Sequence, residues 1–505
     1  MMDGILAGVI TAFSMYNILM VAVGCFAGTF IGMLPGLGPI SAIALMIPIT
    51  YGMEPSSGLI LIAGVYYGAI FGGSTSSILI NAPGVAGTVA SSFDGYPMAK
   101  NGQAGKALAI AAYSSFTGGT IAAVFLLFAA PALANVSLSF QSSDYFALMV
   151  LGLTAVAAFA GKGKFLKAAI MTVFGLMLAT VGTDSDSGIP RFTFGRLDLI
   201  DGISFLLLAM AAFALSEAMM NILENKKQSK AEMDALKKDI GSLKITKEEV
   251  KEMAPTVGRS SVLGFFVGVL PGAGATIASF LAYGMERSIA KAKDKLNFGK
   301  GSVKGLAAPE SANNAACSGS FVPLLTLGIP GSGTTAIILG ALISYGIQPG
   351  PTMYVDNPAL FWSVIISMYI GNMVLLVLNL PLIPYIAKLL TMPKQLLLPL
   401  IIFFSLIGVY LVTFNNFDIY MMTMFAIVAL FLRIIDFPMA PMILGFILGG
   451  MMEDNLRRAL TISDGSFAFL WERPITLTIL ILTVILLLMP MISEYFAKIK
   501  KGKEA

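Results

Sequence analysis

Apolar residues run through this chain in long unbroken stretches, and polar residues gather in short intervals between them. About 20 consecutive apolar residues cross the hydrocarbon core of a bilayer as a helix. The alternating pattern of a membrane-spanning strand is absent. The runs predict continuous spans over 16–34, 57–72, 107–131, 144–160, 166–182 and 203–222. Further spans follow over 259–271, 303–318, 358–386, 396–413, 419–434, 438–452 and 474–494. Between them, 35–50, 73–93, 272–285 and 319–344 are apolar but broken by Pro and Gly. These predict re-entrant hairpins or interrupted helices. The fold class is therefore an all-α polytopic membrane protein, since helices satisfy their own backbone groups in lipid.

The mixed-charge stretch 224–251, ENKKQSKAEMDALKKDIGSLKITKEEVK, divides the chain. It predicts a first membrane repeat over 1–223, a cytoplasmic linker over 224–258 and a second membrane repeat over 259–453. Residues 454–505 then form a loop, a final transmembrane helix and a basic tail. The halves share ordered motifs. The first has GTFIGMLPGLG (28–38) and then NAPGVAGT (81–88). The second has GFFVGVLPGAG (264–274) and then GIPGSGTT (328–335). Two Pro-Gly breaks in the same order point to an internal repeat.

Loop charge gives its orientation, because Lys and Arg favour the cytoplasmic side. After the first break, 51–57 has no Lys or Arg, whereas 286–304 is dense in them. After the second break the bias reverses: Lys100 and Lys106 face a counterpart, 344–357, without basic residues. The segment 131–143 lacks basic residues where its counterpart carries Lys388 and Lys394, and basic 161–167 opposes 415–418. Opposite bias at every pair predicts inverted-topology repeats. One extra span then places the basic C-terminus, with Lys498, Lys500, Lys501 and Lys503, in the cytoplasm.

Composition narrows the chemistry. The 505 residues are 57% hydrophobic and 12% charged, with formal net charge +4, and mean hydropathy is +0.84. Soluble domains carry about 25% charged residues. The small positive excess sits in loops, so it argues for membrane orientation and against a nucleic-acid partner. The chain has no histidine, which excludes His-based triads, His zinc sites and a histidine relay. Its two cysteines, Cys25 and Cys317, lie in apolar stretches and predict buried small residues, not a disulfide. The N-terminus lacks a basic region ahead of a cleavage site and predicts a retained start.

The broken segments are where chemistry is expected, since freed backbone groups at membrane depth must line protein or a water-filled cavity. Helix N-termini there offer N–H groups and partial positive charge to carboxylates. No charged residue occurs from Ser57 to Phe93 or from Ser311 to Val355, so neutral groups must hold an anion within these stretches. The candidate substrate-binding residues are Ser74, Thr75, Ser76, Ser77, Asn81 and Gly84 in the first half. In the second they are Asn313, Asn314, Gly331, Ser332, Gly333 and Thr334. Gly36, Gly38, Gly272, Gly274, Thr335 and Glu310 are the candidates for coupling to a cation, Na⁺ or H⁺. Small residues also serve close helix packing, and Glu310 also fits a helix N-terminal partner. Asp94 reads as a turn cap, and the Asp184–Asp186 stretch as a solvated periplasmic loop. No cofactor is expected.

The run PESANNAA (309–316) followed by VPLLTLGIPGSG (322–333) resembles the large membrane subunit of tripartite tricarboxylate transporters. So does YGAIFGG (67–73), leading through Pro83-Gly84 to DGYPMA (94–99). Length and central linker agree, and the resemblance covers nearly the whole chain. It implies a bacterial inner-membrane permease working with a small membrane subunit and a periplasmic solute-binding protein. The implied substrate is a tricarboxylate or related small carboxylate, and the implied drive is a cation gradient. The chain lacks the GxxxxGK[ST] phosphate loop of an ATPase, which agrees. A channel, or a transporter of another small solute, is the competing reading. An intramembrane enzyme lacks support, with no metal-ligand cluster and no acid pair in the broken segments.

Overall fold

Helix follows the apolar runs in the computed structural model, which describes residues 2–34, 37–160, 163–184, 186–224, 240–388 and 394–503. Strand among these residues is one short antiparallel pair, Gly182–Thr183 with Pro190–Arg191. Six helical stretches there are long and apolar enough to cross a membrane, and shorter apolar helices accompany them. Large apolar side chains such as Phe128, Met177, Phe404 and Phe431 are exposed on the outer surface, as a lipid-facing exterior requires. The chain is an all-α, multi-pass membrane protein.

The first half comprises α1 (Met2–Ala12), α2 (Met15–Met33), α3 (Gly38–Thr50), α4 (Pro55–Ile80), α5 (Val89–Met98), α6 (Ala104–Ser137), α7 (Ser142–Ala158), α8 (Phe165–Ala179) and α9 (Phe205–Glu224). The second comprises α10 (Lys247–Val269), α11 (Gly274–Ile289), α12 (Val303–Gly319), α13 (Phe321–Leu327) and α14 (Gly333–Ser344). It continues with α15 (Pro358–Asn379), α16 (Lys394–Thr413), α17 (Asn416–Ile434), α18 (Ala440–Ile462) and α19 (Pro474–Lys503).

One helix sits at the centre of each half. Every residue of α4 from Ser56 to Ile80 is buried, as expected of a helix that is apolar all round. In α12 everything from Gly305 to Gly319 is buried, although its residues are mostly small or polar. Small side chains let neighbouring backbones come close. The paired glycines exploit this directly. A Cβ on Gly28 or Gly32 of α2 would collide with the carbonyl oxygen of Val65 or Ala69 in α4. A Cβ on Gly264 or Gly268 of α10 would collide with that of Ala312 or Ala316 in α12. The repeated GxxxG thus makes the same backbone-to-backbone packing in both halves.

Several elements differ from the expectations. The helix α1 is additional, and it packs through Gly4 and Gly8 onto Pro358 and Trp362 at the start of α15. The helix α4 runs on to Ile80, beyond the expected break at 73. Its buried Ser76 and Ser77 hydroxyls return to the helix's own Gly73 carbonyl, and that of Ser74 is shared between the Ile70 carbonyl at 3.3 Å and Glu310 at 2.8 Å. No unwinding is then needed to satisfy them. Of the expected linker, 225–239 lies outside the described residues, and α10 begins at Lys247. Its start is set by a reciprocal cap in which Thr246 and Glu249 bond each other's backbone N–H. The helix α18 continues to Ile462, past the expected boundary at 453, and α15 stops at Asn379, short of 386.

Two acids also stand elsewhere than expected. Asp94 lies inside α5 and is buried; its carboxylate accepts the N–H groups of Gly299, Gly301 and Ser302 at 2.7–2.9 Å. It therefore ties the halves together instead of capping a local turn. Asp184 is 5% exposed, and it pairs with Arg191 at 3.2 Å and Arg457 at 2.6 Å. Asp184 is thus pinned by ion pairs to α18, while 186–190 of the same loop are exposed, as expected of a solvated loop.

Candidate functional site

The Leu-Pro-Gly turns end in glycines with left-handed backbone, at φ 62° for Gly38 and 59° for Gly274. Only glycine takes this conformation without strain, and each of the two begins a new helix, α3 or α11. A second break follows in each half, at Asn81–Val85 after α4 and at Gly328–Ser332 after α13. The two breaks of a half then meet. Gly272 N–H donates to the Gly331 carbonyl at 3.0 Å, and a Cβ on Gly38 would lie 3.7 Å from the Gly84 carbonyl oxygen.

The four breaks surround one cavity of about 530 Å³. Gly38 to Ser41 and Val85 to Gly87 come from the first half, and Gly272 to Ile277 and Ser332 to Thr334 from the second. The N-termini of α3, α11 and α14 therefore all open on it. No side chain caps α3 or α11. The start of α14 is set by Ser332, whose hydroxyl accepts the Thr335 N–H at 3.2 Å while Thr335 Oγ1 accepts the Ser332 N–H at 2.8 Å. Three helix N-termini at one cavity give it a partial positive field. Tyr66, Ile70, Phe159, Phe213 and Phe437 add a largely apolar part of the wall.

One ion pair lines the cavity, Arg433 of α17 with Glu217 of α9. Arg433 Nη2 also donates to the Ala212 carbonyl at 3.0 Å, and its buried Nε has no hydrogen-bond partner. Ala212 lies in a π-helical turn, Met210–Leu215. Such a turn widens the helix and is frequent at functional sites. A neighbouring carbonyl of that turn, Phe213, accepts the Ser41 hydroxyl at 3.3 Å. Sequence reasoning missed both charges because it searched the broken segments. The available signal was a lone ionisable residue inside each of two predicted spans, which marks function by default.

Of the expected substrate-binding residues, Ser332, Gly333 and Thr334 line the cavity, together with Gly38, Gly272 and Gly274 from the coupling set. Thr335 and Gly331 stand just behind, in the cap and the inter-break hydrogen bond. Gly36 lies outside the described residues. Asn81 ends α4 at φ 52° and is exposed. Gly84 packs on the Gly32 carbonyl and donates its N–H to Ser76 Oγ at 3.1 Å. The Ser77 hydroxyl bonds that of Thr88 at 2.8 Å. Asn313 and Asn314 are buried in α12, where Asn313 Oδ1 and Nδ2 and Asn314 Oδ1 have no hydrogen-bond partner. Ser74, Thr75 and Glu310 are brought together at a separate place. Glu310 sits within α12, so it is not the helix N-terminal partner.

The model of a family described as "Tripartite tricarboxylate transporter TctA family" matches residues 18–444. An uncharacterised 52.8 kDa protein of Agrobacterium vitis, in the TAR-I ttuC′ 3′ region, is 43% identical over 485 residues, covering 95% of each chain. Another uncharacterised protein of that organism, in the TAR-II ttuC′ 3′ region, is 45% identical over 232 residues, covering 45% of this chain and 95% of its own. No solved structure matches.

Proposed function

The chain belongs to the tripartite tricarboxylate transporter TctA family, and we propose that it carries tricarboxylates or related small carboxylates through the 530 Å³ cavity between its four breaks. The observation that carries this reading is the convergence of three helix N-termini and Arg433 on that cavity. Backbone N–H groups at α3, α11 and α14 supply donors without the cost of burying several fixed charges. Ser332 and Thr334 add neutral hydroxyls. Arg433 adds one planar cation suited to bidentate carboxylate contact, and Glu217 holds it in place until then.

In this reading the chain is the large subunit of a secondary transporter in the bacterial inner membrane, with its C-terminus cytoplasmic. A small membrane subunit and a periplasmic solute-binding protein work with it, and Na⁺ or H⁺ symport supplies the drive. The shared glycine packing of α2 on α4 and α10 on α12 supports two repeats, and the reversed loop charges support their opposite topology around one alternately exposed site. The test is uptake of labelled citrate and other small carboxylates into vesicles holding both membrane subunits. The binding protein is added, with and without inward Na⁺ and pH gradients. Saturable, gradient-dependent uptake is expected. Ionic current without saturation would assign a channel, and no uptake under any gradient would reject the reading.

A further inference from the structure

A second polar cluster is buried outside that cavity, and it deepens the transport reading by giving the coupling ion a place. Glu310 is fully buried in α12. Its Oε2 accepts the hydroxyls of Ser74 from α4 and Ser115 from α6, each at 2.8 Å; Oε1 makes no close hydrogen bond among the described residues, and the buried Ser91 hydroxyl of α5, likewise without one, is its neighbour. Asn379, the last residue of α15, is 4% exposed. Its amide nitrogen donates to the Leu375 carbonyl at 3.0 Å, and its Oδ1 has no hydrogen-bond partner either. Glu310 and Asn379 line one small cavity of about 10 Å³ with Ser74, Thr75 and Ser115, and no Lys or Arg contributes to its wall.

We propose that these five side chains form a site for a single Na⁺, contributed by both halves of the chain. An unpaired carboxylate in an apolar interior is costly unless a positive charge meets it. The ligand atoms on offer are all oxygens: carboxylate, amide and hydroxyl. That set suits a hard cation. One carboxylate balances one positive charge, so a monovalent ion leaves the site neutral whereas a divalent ion does not. The cavity is about one water-sized sphere, room for one bare ion, and the strong field of a carboxylate favours the smaller Na⁺ over K⁺. A proton on Oε1 is the competing occupant, but it needs no cavity.

The experiment is the melting temperature of the purified protein in detergent against NaCl, with choline chloride holding ionic strength constant and KCl as comparison. A saturable rise with Na⁺ is expected, absent with K⁺. In Glu310→Gln the Na⁺ midpoint moves by about tenfold or more. Asn379→Leu and Ser115→Ala weaken it in the same direction, and they carry the test if Glu310→Gln does not fold. No Na⁺ response in the natural chain overturns the proposal, as does an unchanged response in all three variants. A response to pH alone assigns the site to a proton and overturns it as well. The measurement needs no carboxylate, so a failed transport assay leaves its result standing.

Discussion

Gly272 N–H donates to the carbonyl of Gly331 across 3.0 Å, joining the two breaks of the second half by a direct peptide contact. These same breaks begin α11 and α14. The two helix ends that face the cavity are thus tied to each other through backbone, and the Ser332–Thr335 cap then sets the start of α14.

Gly32→Ala is expected to destabilise the protein by about 1–3 kcal/mol, the usual cost of an overpacked contact. The added methyl would press on the Ala69 carbonyl and separate α2 from α4. Gly258→Ala is the control, because a Cβ there meets nothing within 4 Å. Thermal unfolding in detergent distinguishes them, and equal stability of the two variants would refute the close-packing account.

Arg433→Gln is expected to raise the KM for carboxylate uptake about ten- to a hundredfold, the loss of one charge-assisted contact. Glu217 is then left without its partner, so the melting temperature falls too. The double variant Glu217→Gln/Arg433→Gln recovers stability without recovering uptake. Recovery of both would make the pair structural only.

Ser332→Ala is expected to lower uptake and to cost about 1 kcal/mol of stability through the lost cap of α14. Asn81→Gly is expected to leave uptake unchanged, since Asn81 lies outside the cavity and glycine accepts its left-handed backbone. The reverse ranking in an uptake assay would move the site toward the end of α4.

Asp184 gives a pH dependence. The Arg457 guanidinium, with the Ser187 N–H, holds its carboxyl well below the ordinary aspartate range. A group depressed in the folded state stabilises above its unfolded value, about pH 3.9, and that stabilisation is lost as pH falls below it. Hydrogen exchange over 182–200 is expected to show protection that is constant near neutrality and declines below about pH 4. Asp184→Asn should expose the same segment already at neutral pH; protection unchanged in that variant would show that the ion pairs do not hold the loop.

Much of this was legible because membrane helices must be apolar and their breaks need Gly and Pro. The spans, the twice-repeated GxxxGxLPGxG and the presence of Ser332 to Thr334 at a central cavity follow from that rule alone. What failed has physical reasons. Ser74 to Ser77 read as part of a broken segment because Gly72-Gly73 and Pro83-Gly84 flank them, yet α4 stays regular to Ile80 and its own carbonyls accept the Ser74, Ser76 and Ser77 hydroxyls. Asp94 read as a local cap because its acceptors' partners lie more than 200 positions away. Arg433 and Glu217 were hidden by attention to uncharged segments; only the fold carries them to the same wall. Asn379 had no local signal at all, being one amide at the end of an ordinary span.

The π-helical turn at Met210–Leu215 has a geometric consequence for Glu217. One additional residue in a turn rotates everything beyond it by about 100° relative to a regular helix. The face that Glu217 presents to Arg433 therefore depends on that extra residue. Without it, the acid would point a quarter-turn away and Arg433 would stand alone at the cavity wall. The bond from Arg433 to the Ala212 carbonyl closes the loop, because the guanidinium helps hold open the turn that aims its own partner. Charge position and helix register are in this place a single degree of freedom.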